Sequence, residues 1–274
     1  MQIIDMADEH ERLYCKCLED WSDEMKEAGD HKTVWLEQKK KQGLRVKLAR
    51  DDENKIVGMI HYVPIEHGPA IGADLYYVYC VWVHGHKEGV GDNQKKGIGK
   101  ALLEAAEKDA ESLGAKGLVA WGITLPFFMR SKWFKKQGYL LADRDGMMEM
   151  VWKPFRDDAV APVLLRLKKK PTVKEGVITV TCLRNGWCPA QDLSFERMKR
   201  ASAGFGDLVD FREIDTEERE IMEEWGTSDA LFIDDRLIPT GPPPSYAKLR
   251  KMLESKARKL RARRSKADAG GAGS

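Results

Sequence analysis

The chain contains no run of eighteen apolar residues, which excludes a membrane-spanning helix. Its first residues, MQIIDMADEHER, have neither the basic flank nor the apolar core of a secretory leader, so the cytoplasm is the expected compartment. Cysteine is scarce: Cys15, Cys17, Cys80, Cys182 and Cys188 make an odd set in 274 residues, and no disulfide framework is expected. Cys15 and Cys17 fall in an expected helix, where residues two apart point about 200° apart around the axis, so they do not read as a metal pair and no metal is expected. There is no excess of one charge either, since 46 basic residues against 44 acidic ones leave a net charge of +2 that selects no partner. Internal repeats are absent. What remains is a soluble globular chain with room for more than one core, and two domains are expected.

The first half changes period several times. Residues 7–42 are rich in helix formers and broken at Gly29 and Asp30, which predicts two short helices. LRVKLARDDENKIVGMIHYV then alternates apolar and polar residues on either side of the turn residues Asp51 to Asn54, a hairpin pattern. LYYVYCVWVH, 75–84, is aromatic, β-branched and nearly continuous, as a central strand covered on both faces should be. A polar, glycine-rich loop follows, and then a helix over 99–113 with Ile98, Leu102, Ala106, Ala110 and Leu113 at helical spacing. GLVAWGI reads as a strand, PFFMRSKWFKKQG as a helix with proline at its start and glycine at its end, and MMEMVWKPF as a strand. Such alternation predicts an α/β domain over 1–156.

The stretch QKKGIGKALL, 94–103, carries the chemistry. A helix beginning at Gly97 to Gly99 exposes unpaired backbone N–H groups at the positive end of its dipole, and glycine lets a bulky polyphosphate approach them. Lys95, Lys96 and Lys100 add cations at the same place. On these residues alone a tight strand-to-helix turn reads equally well. The P-loop and the dinucleotide fingerprint do not fit: Lys100 is followed by Ala101, and the loop 85–93 is too long.

The pattern Gln94-Lys95-Lys96-Gly97-Ile98-Gly99, after a central strand and before an amphipathic helix, resembles the signature of the GNAT superfamily of acyl-CoA-dependent N-acyltransferases. The resemblance implies a mixed-sheet α/β fold, acetyl-CoA as acyl donor, and direct attack of a primary amine of a small molecule or peptide on the thioester. It also implies that Gln94, Lys95, Lys96, Gly97, Ile98, Gly99 and Lys100 cradle the pyrophosphate. Val81, Trp82 and Val83 would line the pantetheine on a splayed strand, with a backbone N–H near Val83 facing the oxyanion. Glu66, Asp74 and His84, at strand ends, are candidate bases, although each reads first as an ordinary surface or capping residue. The proton-donating tyrosine that such enzymes often carry is replaced by Phe134, and Phe127 stands where an asparagine is common.

The second half holds a linker, 157–176, and then strand, helix, strand, helix, hairpin and helix over 177–255, a smaller α/β domain. In NGWCPAQ, Pro189 at the first helical position would make Cys188 the N-cap, where the dipole lowers a thiol's pKa. A tryptophan, cysteine and proline in a strand-to-helix turn resemble the thioredoxin superfamily, although Gln191 takes the place of the second cysteine and Ser228 and Asp229 stand where a proline is expected. GWCPAQ, FREIDT, SDALFID and TGPPPSY together resemble the YoaP-like domain that some GNAT proteins carry at their C-terminus. Residues 256–274 read as a basic helical extension and a disordered tail; without interleaved aromatics the run argues against nucleic acid as a partner. The sequence therefore points to an N-acetyltransferase with a thioredoxin-like second domain. A CoA-binding sensor, and a monothiol protein acting through Cys188, are the alternatives.

Overall fold

The computed structural model describes residues 1–126 and 128–271, with side chains to residue 265. It divides into two compact units, one of Met1–Lys26 with Lys32–Leu167, the other of Glu27–His31 with Lys168–Ser274.

In chain order the first unit contains β1 (Gln2–Asp5), α1 (Asp8–Cys15), α2 (Asp23–Glu27), α3 (His31–Lys41), β2 (Arg45–Arg50), β3 (Ile56–Pro64), β4 (Ala70–Ile71), β5 (Tyr76–Val83), α4 (Ile98–Ser112), β6 (Gly117–Ile123), α5 (Ser131–Lys135), β7 (Leu140–Asp145), β8 (Met148–Pro154) and β9 (Val163–Leu164). Seven strands form one sheet in the order β1-β2-β3-β5-β6-β8-β7, mixed because β5 and β6 run parallel and the other neighbours antiparallel. α4 lies on one face. Its Ile98, Leu102, Ala106 and Ala110 are buried against Ile60, Tyr62, Val78, Leu118 and Val151 of the sheet. Close approach is possible because β3 carries Gly58, where a β-carbon would stand 3.0 Å from Ile98 and 3.1 Å from Leu102.

The expected hairpin, central strand and amphipathic helix are present, and the differences have local causes. Three short helices replace two in the N-terminal region, and α1 ends at Cys15, so Cys17 (φ 51°) lies past it in a turn. Leu113, expected on the buried face of α4, is the C-cap and is half exposed. The expected 13-residue helix after β6 shrinks to the five residues of α5; Ile123 N–H bonds Met129 O, and residues 124–126 and 128–130 are not helical. β7 was concealed by its charge: LLADRD is an edge strand with mostly exposed side chains. Within the expected linker, Val163–Leu164 pairs with Ala70–Ile71 and belongs to the first unit.

The second unit contains β10 (Ile178–Arg184), α6 (Pro189–Ala203), β11 (Val209–Asp215), α7 (Arg219–Trp225), β12 (Ala230–Ile233), β13 (Arg236–Ile238) and α8 (Tyr246–Gly271). Its sheet has the order β11-β10-β12-β13, with β10 and β11 parallel and the rest antiparallel. Period-two alternation on β10 sends Ile178, Val180 and Cys182 into a cluster with Met198 of α6 and Leu249 and Leu253 of α8. Leu183 points the other way, toward Trp225 of α7. α8 is continuous from the core through the basic segment to Gly271; the end of the expected disordered tail, 272–274, lies outside the described residues, as does Phe127.

Candidate active site

A single extra residue opens the sheet of the first unit. His61 of β3 is opposite Cys80 of β5, yet Tyr62 is opposite Val78, so Tyr79 is a β-bulge. A bulge bends its own strand, and here β5 parts from β6 at that point: the pair is hydrogen-bonded only over Tyr76–Leu118, Tyr77–Val119 and Val78–Ala120. β6 nevertheless continues to Ile123 and β5 to Val83. The result is a fork. Trp121 of β6 reaches across its base, its Nε1–H donating to Tyr79 O at 2.8 Å.

Strand geometry settles which backbone groups line the opening. Successive residues direct their N–H and C=O to opposite sides. His84 N–H donates to Val57 O on the β3 side at 3.0 Å, while Tyr79 O faces the fork. Val81 and Val83 share Tyr79's parity, so their amides lie on the open edge. Trp82 has the opposite parity; its backbone belongs to the β3 ladder, and only its side chain is available.

At the tip of β5 the loop 84–93 folds back onto His84. Asn93 N–H donates to His84 O at 2.8 Å, and the His84 ring lies 2.8 Å from Gly91 O through Nδ1 while Trp21 Nε1–H donates to Nε2 at 3.4 Å. That pair of contacts fixes the neutral tautomer with its proton on Nδ1. His84 is completely buried. Both ring nitrogens are committed, so His84 is a latch for the loop and not a base.

The loop delivers the chain to α4. Gly97 is its N-cap at φ 82°, a left-handed conformation that favours glycine, and a β-carbon there would meet nothing within 4 Å. No side chain caps this helix, and its first backward bond is Ala101 N–H to Gly97 O, so the amides of Ile98, Gly99 and Lys100 precede the helical ladder. Gly99 is covered by Trp133 of α5, 3.4 Å from where its β-carbon would stand. Lys95 is exposed, Lys96 Nζ donates to Asn93 Oδ1 at 2.9 Å, and Lys100 Nζ is 3.5 Å from Glu104. Ile98 contributes only its backbone, its side chain being in the core. Gln94 folds its amide over Gly85, where a β-carbon would overlap it. The donors and cations that a polyphosphate requires are therefore gathered at the end of the open strand.

Glu66 and Asp74 are elsewhere. Asp74 N–H donates to Glu66 Oε1 at 3.3 Å, and Asp74 also holds Lys116 at 3.3 Å. Both carboxylates sit at the closed end of β5, and the five residue steps from Asp74 to Tyr79 span about 16 Å. They cap one end of the sheet and do not reach the fork. Phe134 is fully buried beside Tyr139 and Trp133, so no proton donor extends from that position.

Residues 7–139 match the acetyltransferase (GNAT) family. The matched segment includes the bulge, the fork, the latch and the glycine cradle. Solved structures similar to this chain include the GNAT family N-acetyltransferase YhbS from Escherichia coli in complex with CoA (15% identity, 57% of this chain and 82% of that one, TM-score 0.41). Others are the PaiA N-acetyltransferase from Thermoplasma acidophilum with coenzyme A (16%, 57% and 100%, 0.41) and a GNAT family acetyltransferase from Brucella melitensis with acetyl-CoA (17%, 58% and 90%, 0.38). No curated protein matches the chain. Among the described residues no helix is long and apolar enough to cross a membrane.

Sequence reasoning missed three groups of the matched segment that the fork brings into view: Trp121, Glu19 and His86. His86 Nε2 lies 3.3 Å from Glu19 Oε1 and stands beside Trp21 and Trp82. Burial pushes the Glu19 carboxyl up from the ordinary range, against the opposing pull of His86. Glu19 and His86 are far apart in sequence, and the only signal was the close spacing of Trp82, His84 and His86 at the end of β5.

In the second unit Cys188 is the N-cap of α6 and is half-buried. Asp229, distant in sequence from Trp187 and partly buried, accepts from Trp187 Nε1–H at 3.0 Å and from Asn185 N–H at 3.3 Å, and desolvation pushes its carboxyl up. Cys182 is buried on β10, where burial pushes its thiol well up.

Proposed function

We propose that the first unit is an acyl-CoA-dependent N-acetyltransferase. The observation that carries this reading is the fork opened by the Tyr79 bulge, with the glycine-started helix α4 at its tip, inside the segment that matches the family. The amides at the start of α4, with Lys95, Lys96 and Lys100, would hold the pyrophosphate; Gln94 and Gly97 shape the cradle. Val81 and Val83 would pair their open-edge backbone with the pantetheine arm. Bound acetyl-CoA supplies an acyl thioester; attack by a neutral amine forms the C–N bond as the C–S bond breaks and thiolate leaves, and the proton lost from the nitrogen passes to solvent. The Val81 and Val83 N–H groups face the edge where the carbonyl oxygen gains charge. With Phe134 in the core, the thiolate departs without an acid, as a thiol can near neutral pH.

The second unit is a thioredoxin-like, YoaP-like module in this reading, over 177–255, and its strand order and Cys188 at a helix start support that assignment. Its single helix-start cysteine suits partner or acceptor binding better than dithiol exchange.

Acetyl-CoA at a hundred times its dissociation constant would stabilise the unit by about 2.7 kcal/mol, roughly 5–10 °C in melting temperature. A Gly97→Asp, Gly99→Asp double variant should lose that shift, because it places two carboxylates in the cradle. No shift with wild-type protein, or an equal shift with the variant, refutes the reading. Thiol release with a panel of primary amines then separates the enzyme from a CoA-binding sensor.

A further inference from the structure

The side of the fork opposite α4 carries a second construction. Val81 and Val83 pack toward α4. Trp82, between them, points the other way by strand alternation. There its ring lies 5.9 Å from Phe128 and 6.2 Å from His86, and Phe128 lies 6.0 Å from Trp121 on the other prong. Trp21 closes on His86 at 5.5 Å. Aromatic rings thus bridge the two prongs of the opening, with one carboxylate, Glu19, set behind His86 at 3.3 Å.

Two features point to an occupant. Phe128 and Trp21 are 38% and 36% exposed, large for apolar rings in a structured cleft. Trp82 Nε1 is buried and has no hydrogen-bond partner, a donor that a bound acceptor atom would satisfy. Aromatic faces together with a partly buried carboxylate make a site for an organic cation, since the ring quadrupoles and the anion attract the same charge. A small polar amine would leave the rings wet; an aryl group would cover them.

We infer that Glu19, Trp21, Trp82, His86 and Phe128 form the acceptor subsite, and that it takes a primary ammonium carried on an aryl-alkyl body. The inference rests on the acetyltransferase reading for the identity of the donor, and on the ring and carboxylate geometry for the acceptor. Glu19 holds the ammonium, the rings hold the body, and Trp82 Nε1 donates to an oxygen brought in beside it.

Isothermal titration of the full chain, with and without CoA, tests this using 2-phenylethylammonium, its neutral counterpart 2-phenylethanol, and the aliphatic n-butylammonium. The aryl ammonium should bind at least tenfold more tightly than either comparator. Glu19→Gln, which keeps the side-chain shape, should reduce the preference over the alcohol to under threefold, and Trp82→Leu should reduce the preference over n-butylammonium. Absence of binding, no preference in the wild type, or a preference that survives Glu19→Gln overturns the inference. Should either variant melt early, Phe128→Leu at the exposed rim gives the same reading for the aryl group. If acetyl-CoA fails to stabilise the protein while the ammonium preference holds, the donor assignment fails and the cation subsite stands.

Discussion

Asp109, on the last turn of α4, anchors the far end of the helix whose start forms the cradle, and replacing it by asparagine tests whether that anchor is electrostatic. Arg45 grips the carboxylate with Nε at 2.9 Å and Nη2 at 3.0 Å, Tyr62 donates its hydroxyl at 2.6 Å, and Lys47 donates at 3.1 Å. Burial alone would push this carboxyl up, but the hydrogen bonds from Arg45, Tyr62 and Lys47 outweigh it and hold its pKa down to about 2. The ordinary value is 3.8, so the folded state favours the anion by close to two pH units, about 2 kcal/mol. Because the folded pKa is the lower one, this stabilisation is complete above pH 3.8 and is lost as pH falls toward about 2. Asp109→Asn keeps the shape, removes the charge and puts an amide donor against two cations. It should cost about 2–3 kcal/mol at pH 7, roughly 4–10 °C, as read by urea and thermal denaturation of the first unit. The gap between wild type and variant should narrow between pH 4 and pH 2. A difference under about 0.5 kcal/mol at neutral pH, or a gap that does not change with acid, would refute the argument.

Two further outcomes follow from the same geometry. His84→Leu should destabilise the loop 84–93 by about 1–3 kcal/mol, by removing the ring's bonds to Gly91 O and the Trp21 indole, and speed tryptic cleavage at exposed Lys87. An unchanged cleavage rate would remove the latch. Under non-denaturing alkylation Cys188 should react ahead of Cys182, whose thiol is buried and pushed up in pKa; equal rates would contradict that ordering.

Much of the architecture could be read from local pattern. The continuous run around Tyr77 to Val83, the helical spacing from Ile98 to Ala110, and the glycines before it are short-range signals, and each matched an element of the structure. Edge strand β7 escaped because its side chains are charged and exposed, leaving no apolar period to detect. Glu66, Asp74 and His84 were grouped by their positions at strand ends. The fold separates them, since two ends of one strand lie on opposite sides of a sheet, and it buries the histidine in a hydrogen-bonded latch.

The sequence by itself determined the glycine-started helix on which the proposed donor site rests. Backbone amides at a glycine-rich helix start depend on chain conformation over a few residues, and that is written locally. Tertiary structure decided the fork and the ring cluster proposed as the acceptor subsite. The Tyr79 bulge exists only as a register between β3 and β5, and the assembly of Glu19, Trp82, His86 and Phe128 depends on segments more than a hundred residues apart meeting at one opening. Side chains that become neighbours only through packing leave no spacing in the chain to be read.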